Sequence, residues 1–201
     1  AGSILKKKKG ILPENILILT YTNSAAKAMK ERLARVIGRE GYDVEVGTFH
    51  SFANSIIQES EEAANYVGDK IQMTEVEQVR LIEYILDHAR GIEDIRPFRA
   101  PYLYLAEIKS RIGELKRDGI KPADYEKYLK GRDKGELALM EEKHVKRLKA
   151  LAAAYKMYEE LKDKGSADVF DERGRYDFDD MIMFATEALK HEPGLRKKYR
   201  E

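Results

Sequence analysis

At 201 residues and 43% hydrophobic content the chain can hold one domain or two small ones around a real core, and a net charge of +1 against 36% charged residues excludes a generally basic nucleic-acid coat. Any polyanion site must therefore be local. Cysteine is absent, which excludes disulfides and thiolate metal sites and fits a reducing, cytoplasmic setting, and His50, His88, His144 and His191 lie too far apart to show ligand spacing, so no metal site is expected.

Lys6 to Lys9 precede an apolar stretch, but Pro13, Glu14 and Asn15 interrupt it, so neither an export signal nor a membrane span is read there. Residues 1–15 read as a tag or linker remnant. Ile16 to Thr20 is a continuous apolar run short enough for a strand buried on both faces. Asn23 or Ser24 is expected to cap the helix that follows, in which Ala26, Met29, Leu33 and Val36 recur at helical spacing until Gly38 and Gly41 stop it. Val44 to Thr48 reads as a second strand, with Phe52, Ile56 and Ile57 on the buried side of a second helix. Two strand-to-helix units in succession imply a parallel sheet.

After about Gln58 the strand signal nearly vanishes. Thr74 and Glu77 form a capping box before the stripe Val79, Ile82, Leu86 and Ala89, which Gly91 ends. Pro101 is expected to open another helix, with Leu105, Ile108, Ile112 and Leu115 inside and Lys109, Arg111, Lys116 and Arg117 studding its surface. A short helix runs from Pro122 to Gly131. Leu137, Met140, His144, Leu148, Leu151, Tyr155, Tyr158 and Leu161 predict one long helix up to Gly165. Ser166 to Arg175 is a loop, and Asp177 caps a last helix carrying Phe178, Met181, Ile182, Ala185 and Leu189. The fold class is thus mainly α with a small parallel β element.

The two strand-to-helix turns are where chemistry is expected. Tyr21 leaves a strand end beside Thr22 and Asn23 at the positive end of a helix, where a nucleobase can stack on the ring while hydroxyl, amide and backbone N–H groups take a phosphate. Thr48, Phe49, His50 and Ser51 repeat that arrangement. The competing reading makes Tyr21 and Phe49 core aromatics and the polar residues ordinary caps. Asp177, Asp179 and Asp180 invite a magnesium-dependent nuclease reading, but carboxylates in a first helical turn also complement the macrodipole, and a helix fans the adjacent pair about 100° apart.

The stretch ILPENILILTYTNSAAKAMKERL resembles motif Ia of the UvrD/Rep/PcrA-type superfamily-one DNA helicases, GTFHSFANSII resembles their motif Ib, and YDFDDMIMFATEAL is similar to the helix that precedes their Walker B strand. That resemblance implies an incomplete RecA-like α/β (P-loop NTPase) core carrying a helical insert. Residues 16–64 would be a partial RecA-like core, 65–165 the inserted subdomain called 1B, and 176–201 a return to the core. It further implies a fragment of an ATP-dependent DNA helicase, with ATP and magnesium implied for the parent. Tyr21, Thr22, Asn23, Thr48, Phe49, His50 and Ser51 would contact single-stranded DNA weakly, and the insert would position a duplex junction. Residues 1–15 hold no Gly-Lys-Thr phosphate loop, and the family's Walker B Asp-Glu pair is expected just after Glu201, so the chain alone is expected to be catalytically silent and to hold no cofactor. The alternative is a non-enzymatic helical protein-interaction module using the basic helix at Lys109–Arg117 or the long helix at Leu137–Leu161.

Overall fold

The structure, a computed structural model, describes residues 11–132 and 141–200. It is mainly helical and divides into two compact units, one formed by the chain up to Tyr66 together with the stretch from Phe184 onward, the other by Val67–Met183.

In the first unit a single 3-10 turn, Pro13–Asn15, leads into β1 (Leu17–Thr20), which pairs in parallel with β2 (Glu45–Thr48) in the register Leu17 to Glu45 and Thr20 to Thr48. Helix α1 (Asn23–Ile37) crosses between the strands, and a 3-10 stretch (Gly38–Tyr42) returns the chain to β2. Gly38 ends α1 with φ +71°, a left-handed conformation that favours glycine. Helices α2 (Phe49–Glu59) and α3 (Glu61–Val67) follow; the latter has no counterpart in the sequence reading.

Three expectations for this unit need correction. The cap of α1 is Thr22, whose side-chain oxygen accepts from the Ala25 amide at 3.1 Å, rather than Asn23 or Ser24. Val36 is exposed; at about 100° per residue Ile37 lies about 40° round from buried Leu33 and takes the inner place, whereas Val36 lies about 60° to the other side. Strand β1 is not buried on both faces: Leu17 is exposed and Ile18 to Thr20 are half-buried, because among the described residues this sheet has two strands and so no neighbour on either side of the pair.

The second unit opens on β3 (Ile71–Gln72), paired in parallel with β4 (Arg175–Tyr176). Two-residue strands more than 100 positions apart leave no periodic trace in the sequence, and this sheet is visible only in the fold. Between them lie α4 (Glu75–His88), α5 (Leu105–Arg117), α6 (Pro122–Arg132) and α7 (Glu142–Lys164). The expected Thr74–Glu77 capping box is present in full. Helix α5 begins at Leu105 rather than at Pro101, since Pro101–Tyr104 form turns. Leu137 and Met140 lie outside the described residues. The core is apolar side chains of α4, α5, α6 and α7 with Met73, Ile92 and Ile95, among them Leu81, Ile82, Ile112, Leu129 and Tyr158. Helix α8 (Phe178–His191) starts in this unit and continues into the first, where α9 (Pro193–Lys198) follows. Phe178, expected on the inner stripe of α8, is exposed. None of the described helices is long and apolar enough to cross a membrane.

Candidate nucleic-acid interface

The parallel register sets Thr20 beside Thr48, so the chain leaves both strands at the same level and the next residues, Tyr21 and Phe49, become neighbours. Their ring centroids are 5.2 Å apart with the planes tilted by 44°. Tyr21 is 85% exposed and Phe49 37%, which rules out the core-aromatic reading for Tyr21 and leaves Phe49 at the rim. A ring that open buries little of its apolar area in the fold, and so its contribution to stability is small.

Each turn is fastened by the residues that flank its ring. Thr20 Oγ1 lies 3.0 Å from the Thr22 carbonyl oxygen and 3.4 Å from that of Gly47, a hydroxyl that bridges the two strand ends. Thr48 and Ser51 form a reciprocal capping box: the Ser51 amide donates to Thr48 Oγ1 at 3.0 Å and the Thr48 amide donates to Ser51 Oγ at 2.8 Å. Gly47 is needed beside them, because a Cβ there would stand 2.8 Å from Ser51 Oγ. Thr22, Thr48 and Ser51 are therefore helix caps, as the competing reading has it for Thr22 and Ser51 but not for Asn23, and that duty fixes the first turns of α1 and α2. Asn23 stands exposed as the first residue of α1, and His50 is half-buried in the first turn of α2. The leading amides of each helix have no acceptor within the helix, which gives both turns the partial positive charge that attracts an anion.

Helix α2 is held at its far end as well. Phe52 meets Tyr199 edge to face at 5.1 Å, and Glu59 accepts from Lys198 Nζ at 2.5 Å, an interaction that lowers the Glu59 carboxyl below its usual value. Ser60 Oγ is bonded to the Glu192 carboxylate, which also accepts from the Glu62 amide at 3.2 Å. These contacts are out of reach of the sequence, since they join residues about 130 to 150 positions apart.

The family described as UvrD/REP helicase N-terminal domain matches residues 3–201. The chain belongs to that family. It is 26% identical over 196 residues to the ATP-dependent DNA helicase PcrA of Staphylococcus epidermidis and 25% identical over the same length to PcrA of Staphylococcus aureus. In each case the match takes in 97% of this chain and 23% of the relative, so the chain spans about a quarter of the length of these relatives.

The DFDD segment of this UvrD/REP-type domain lies in the second unit and is a buried ion cluster. Asp177 and Asp180 cap α8 reciprocally, the Asp180 amide donating to Asp177 Oδ1 at 3.0 Å and the Asp177 amide to Asp180 Oδ2 at 2.8 Å. Lys116 Nζ, fully buried, sits 2.5 Å from Asp177 Oδ2, 2.6 Å from Asp180 Oδ1 and 3.3 Å from Glu159 Oε1. Lys162 Nζ lies 2.7 Å from Asp180 Oδ2 and from Glu159 Oε2. The Tyr158 hydroxyl donates to Asp177 Oδ2 at 2.9 Å and accepts from Gln78 at 3.0 Å.

Burial alone would raise the Asp177 carboxyl, but the Lys162 and Lys116 ammoniums outweigh it and hold the group well below the usual carboxylate range. Burial likewise works against the Lys116 ammonium, and Asp177, Asp180 and Glu159 overcome it and raise the group well above its ordinary value. The carboxylate oxygens of Glu159, Asp177 and Asp180 lie within 4.8 Å of one another, as a metal reading requires, yet two lysine ammoniums occupy the space among them. Asp179 turns away to Arg117 at 3.0 Å. The cap reading, not the nuclease reading, describes this segment.

The four cations of α5 are all engaged: Lys109 with Glu75 at 2.6 Å, Arg111 with Glu114 at 2.8 Å, Lys116 in the cluster and Arg117 with Asp179. Lys116 was read as a surface stud, and its burial is the correction. Its carboxylate partner lies 61 positions away, beyond what the pattern of one helix can reveal. A basic docking stripe on α5 is left without free cations.

Proposed function

We propose that the turns at Tyr21–Asn23 and Thr48–Ser51 form a shallow track for single-stranded DNA within an ATP-dependent DNA helicase of the UvrD/REP family, acting in the cytoplasm. The observation that carries this reading is the pair of rings, exposed Tyr21 5.2 Å from rim-placed Phe49, set at the leading ends of two helices. An open aromatic face accepts a base of any sequence, and helix-end amides accept the adjoining phosphates. The family match and the DNA-helicase identity of the PcrA relatives support a DNA substrate.

In this reading residues 16–64 and 176–201 belong to a RecA-like core and residues 65–165 are the helical insert, which would meet a duplex junction. ATP and Mg2+ serve the whole helicase. The residues of this chain do not fit them: its sequence holds no Gly-Lys-Thr loop for the phosphates, and the buried carboxylates of the DFDD segment are already neutralised by lysines. No step of ATP chemistry is assigned to it.

One or two stacks at about 1–3 kcal/mol each, with a few phosphate contacts, give an affinity of roughly millimolar to tens of micromolar. Fluorescence anisotropy of a labelled thymidine oligonucleotide tests this. The expected outcome is weak binding that falls steeply with added salt and does not depend on sequence. Tight binding indifferent to salt, or no binding at low salt, would overturn it.

A further inference from the structure

The second unit carries an apolar tip that nothing in the fold explains. Between α4 and α5 the chain descends into the core at Ile92 and Ile95, both buried, and then rises through Arg96, Pro97, Phe98 and Arg99. Phe98 stands 101% exposed, the most open large apolar side chain among the described residues, and Leu103, five residues on, is 63% exposed. A phenylalanine in open water gains nothing by burial, so the fold itself gives no reason for it.

The tip is also held in place. Asp87 grips it from α4 with both carboxylate oxygens, accepting from Arg96 Nη2 at 2.9 Å and from the Tyr102 hydroxyl at 2.8 Å. Those bonds hold the Asp87 carboxyl below its ordinary value. Successive turns close from the Ala100 amide to the Pro97 carbonyl at 3.1 Å and from the Leu103 amide to the Ala100 carbonyl at 3.0 Å, with Pro97 and Pro101 fixing φ. At the base, Arg147 donates to the Tyr104 hydroxyl at 2.7 Å and its guanidinium lies 4.8 Å from the centre of that ring. A backbone fixed in advance leaves only the rotamers of the exposed side chains to be ordered on binding.

Arg99, the residue after Phe98, is exposed and has no ion pair among the described residues. An open aromatic ring followed in the chain by an unpaired guanidinium suits a nucleobase and its phosphate better than an apolar protein groove, which would have to desolvate the charge.

We infer that Phe98 and Arg99 form a second nucleic-acid contact, in which the ring stacks on the open face of a nucleobase, unpaired or at the end of a duplex, and Arg99 pairs with the adjoining phosphate. This rests on the DNA-binding reading above but uses residues that reading does not.

The chain contains no tryptophan, so a single introduced indole reports its own surroundings. Phe98→Trp and, separately, Tyr21→Trp are titrated with oligothymidine and with a blunt-ended DNA hairpin. Stacking quenches indole emission, and quenching of Phe98→Trp by either DNA supports the inference; which of the two quenches it tells whether an unpaired base or a terminal pair is the ligand. Phe98→Ala is expected to weaken binding of that DNA about fivefold or more, and Arg99→Ala to flatten its salt dependence by about one phosphate contact. Quenching of Tyr21→Trp with none for Phe98→Trp overturns the inference and leaves the turns as the DNA site. The reverse result keeps the inference and removes the turns. Emission of Phe98→Trp that moves to the blue with protein concentration alone, without DNA, marks self-association and overturns it.

Discussion

The turn pair of the first unit and the ion cluster of the second both begin as strand-to-helix entries with acidic or hydroxyl caps, and they end in opposite states. At Tyr21 and Phe49 the caps hold aromatic rings out into solvent. At Asp177 and Asp180 the caps are buried and meet two lysine ammoniums, a tyrosine hydroxyl and a glutamate. The same local device serves exposure in one place and burial in the other, and what decides is the partner supplied from elsewhere in the fold. Lys116 and Lys162 arrive on α5 and α7, whereas no described side chain covers Tyr21. A cluster closed on itself contributes to stability; a ring left open is available for a ligand.

That contrast is broken most severely at Lys116. Lys116→Ala removes one of two ammoniums facing three carboxylates and leaves buried charge uncompensated, so urea unfolding followed by circular dichroism is expected to show a loss of about 3–5 kcal/mol. A smaller loss comes from Gly41→Ala in the first unit: a Cβ there would meet the Ala34 backbone nitrogen at 2.6 Å, and the backbone shift it forces costs about 1–3 kcal/mol by the same assay. Thr48→Ala deletes the acceptor of the Ser51 amide and is expected to cost about 1 kcal/mol, with some loss of DNA binding because the turn it fixes loosens.

The cluster also fixes the pH response. The Asp177 carboxyl is depressed in the folded protein, so its stabilisation is present above the unfolded value near pH 4 and is lost as pH falls toward the folded value. The Lys116 ammonium is raised, so its stabilisation is present below the unfolded value near pH 10 and is lost as pH rises through the folded value. Denaturant titrations are expected to show a plateau from about pH 5 to about pH 9, with stability falling below about pH 4. A maximum confined to neutral pH would count against the lysine–carboxylate pairing.

How much of this was legible in the sequence follows from the range of the forces involved. The two turns and the Thr74–Glu77 box depend on neighbours within a few residues, and the parallel pairing of β1 and β2, 28 positions apart, follows from two strand-to-helix units in succession, so the chain declares them. Which of Thr22, Asn23 and Ser24 caps α1 was ambiguous, because all three side chains can accept from a first-turn amide. Strands β3 and β4, the burial of Lys116 and the clasp of Glu192 on Ser60 all depend on segments about 60 to 130 positions away, and no local pattern announces them. Tyr21 was ambiguous for a different reason: an aromatic at a strand end reads equally as core or as platform until its cover is known.

The central claim is that Tyr21 serves a ligand and not the fold, and Tyr21→Ala tests it most directly in one pair of measurements on the same sample. Unfolding free energy is expected to stay within about 0.5 kcal/mol of the parent sequence, while the dissociation constant for oligothymidine at low salt rises about fivefold or more. Unchanged affinity, or a stability loss as large as that of a buried aromatic, would contradict it.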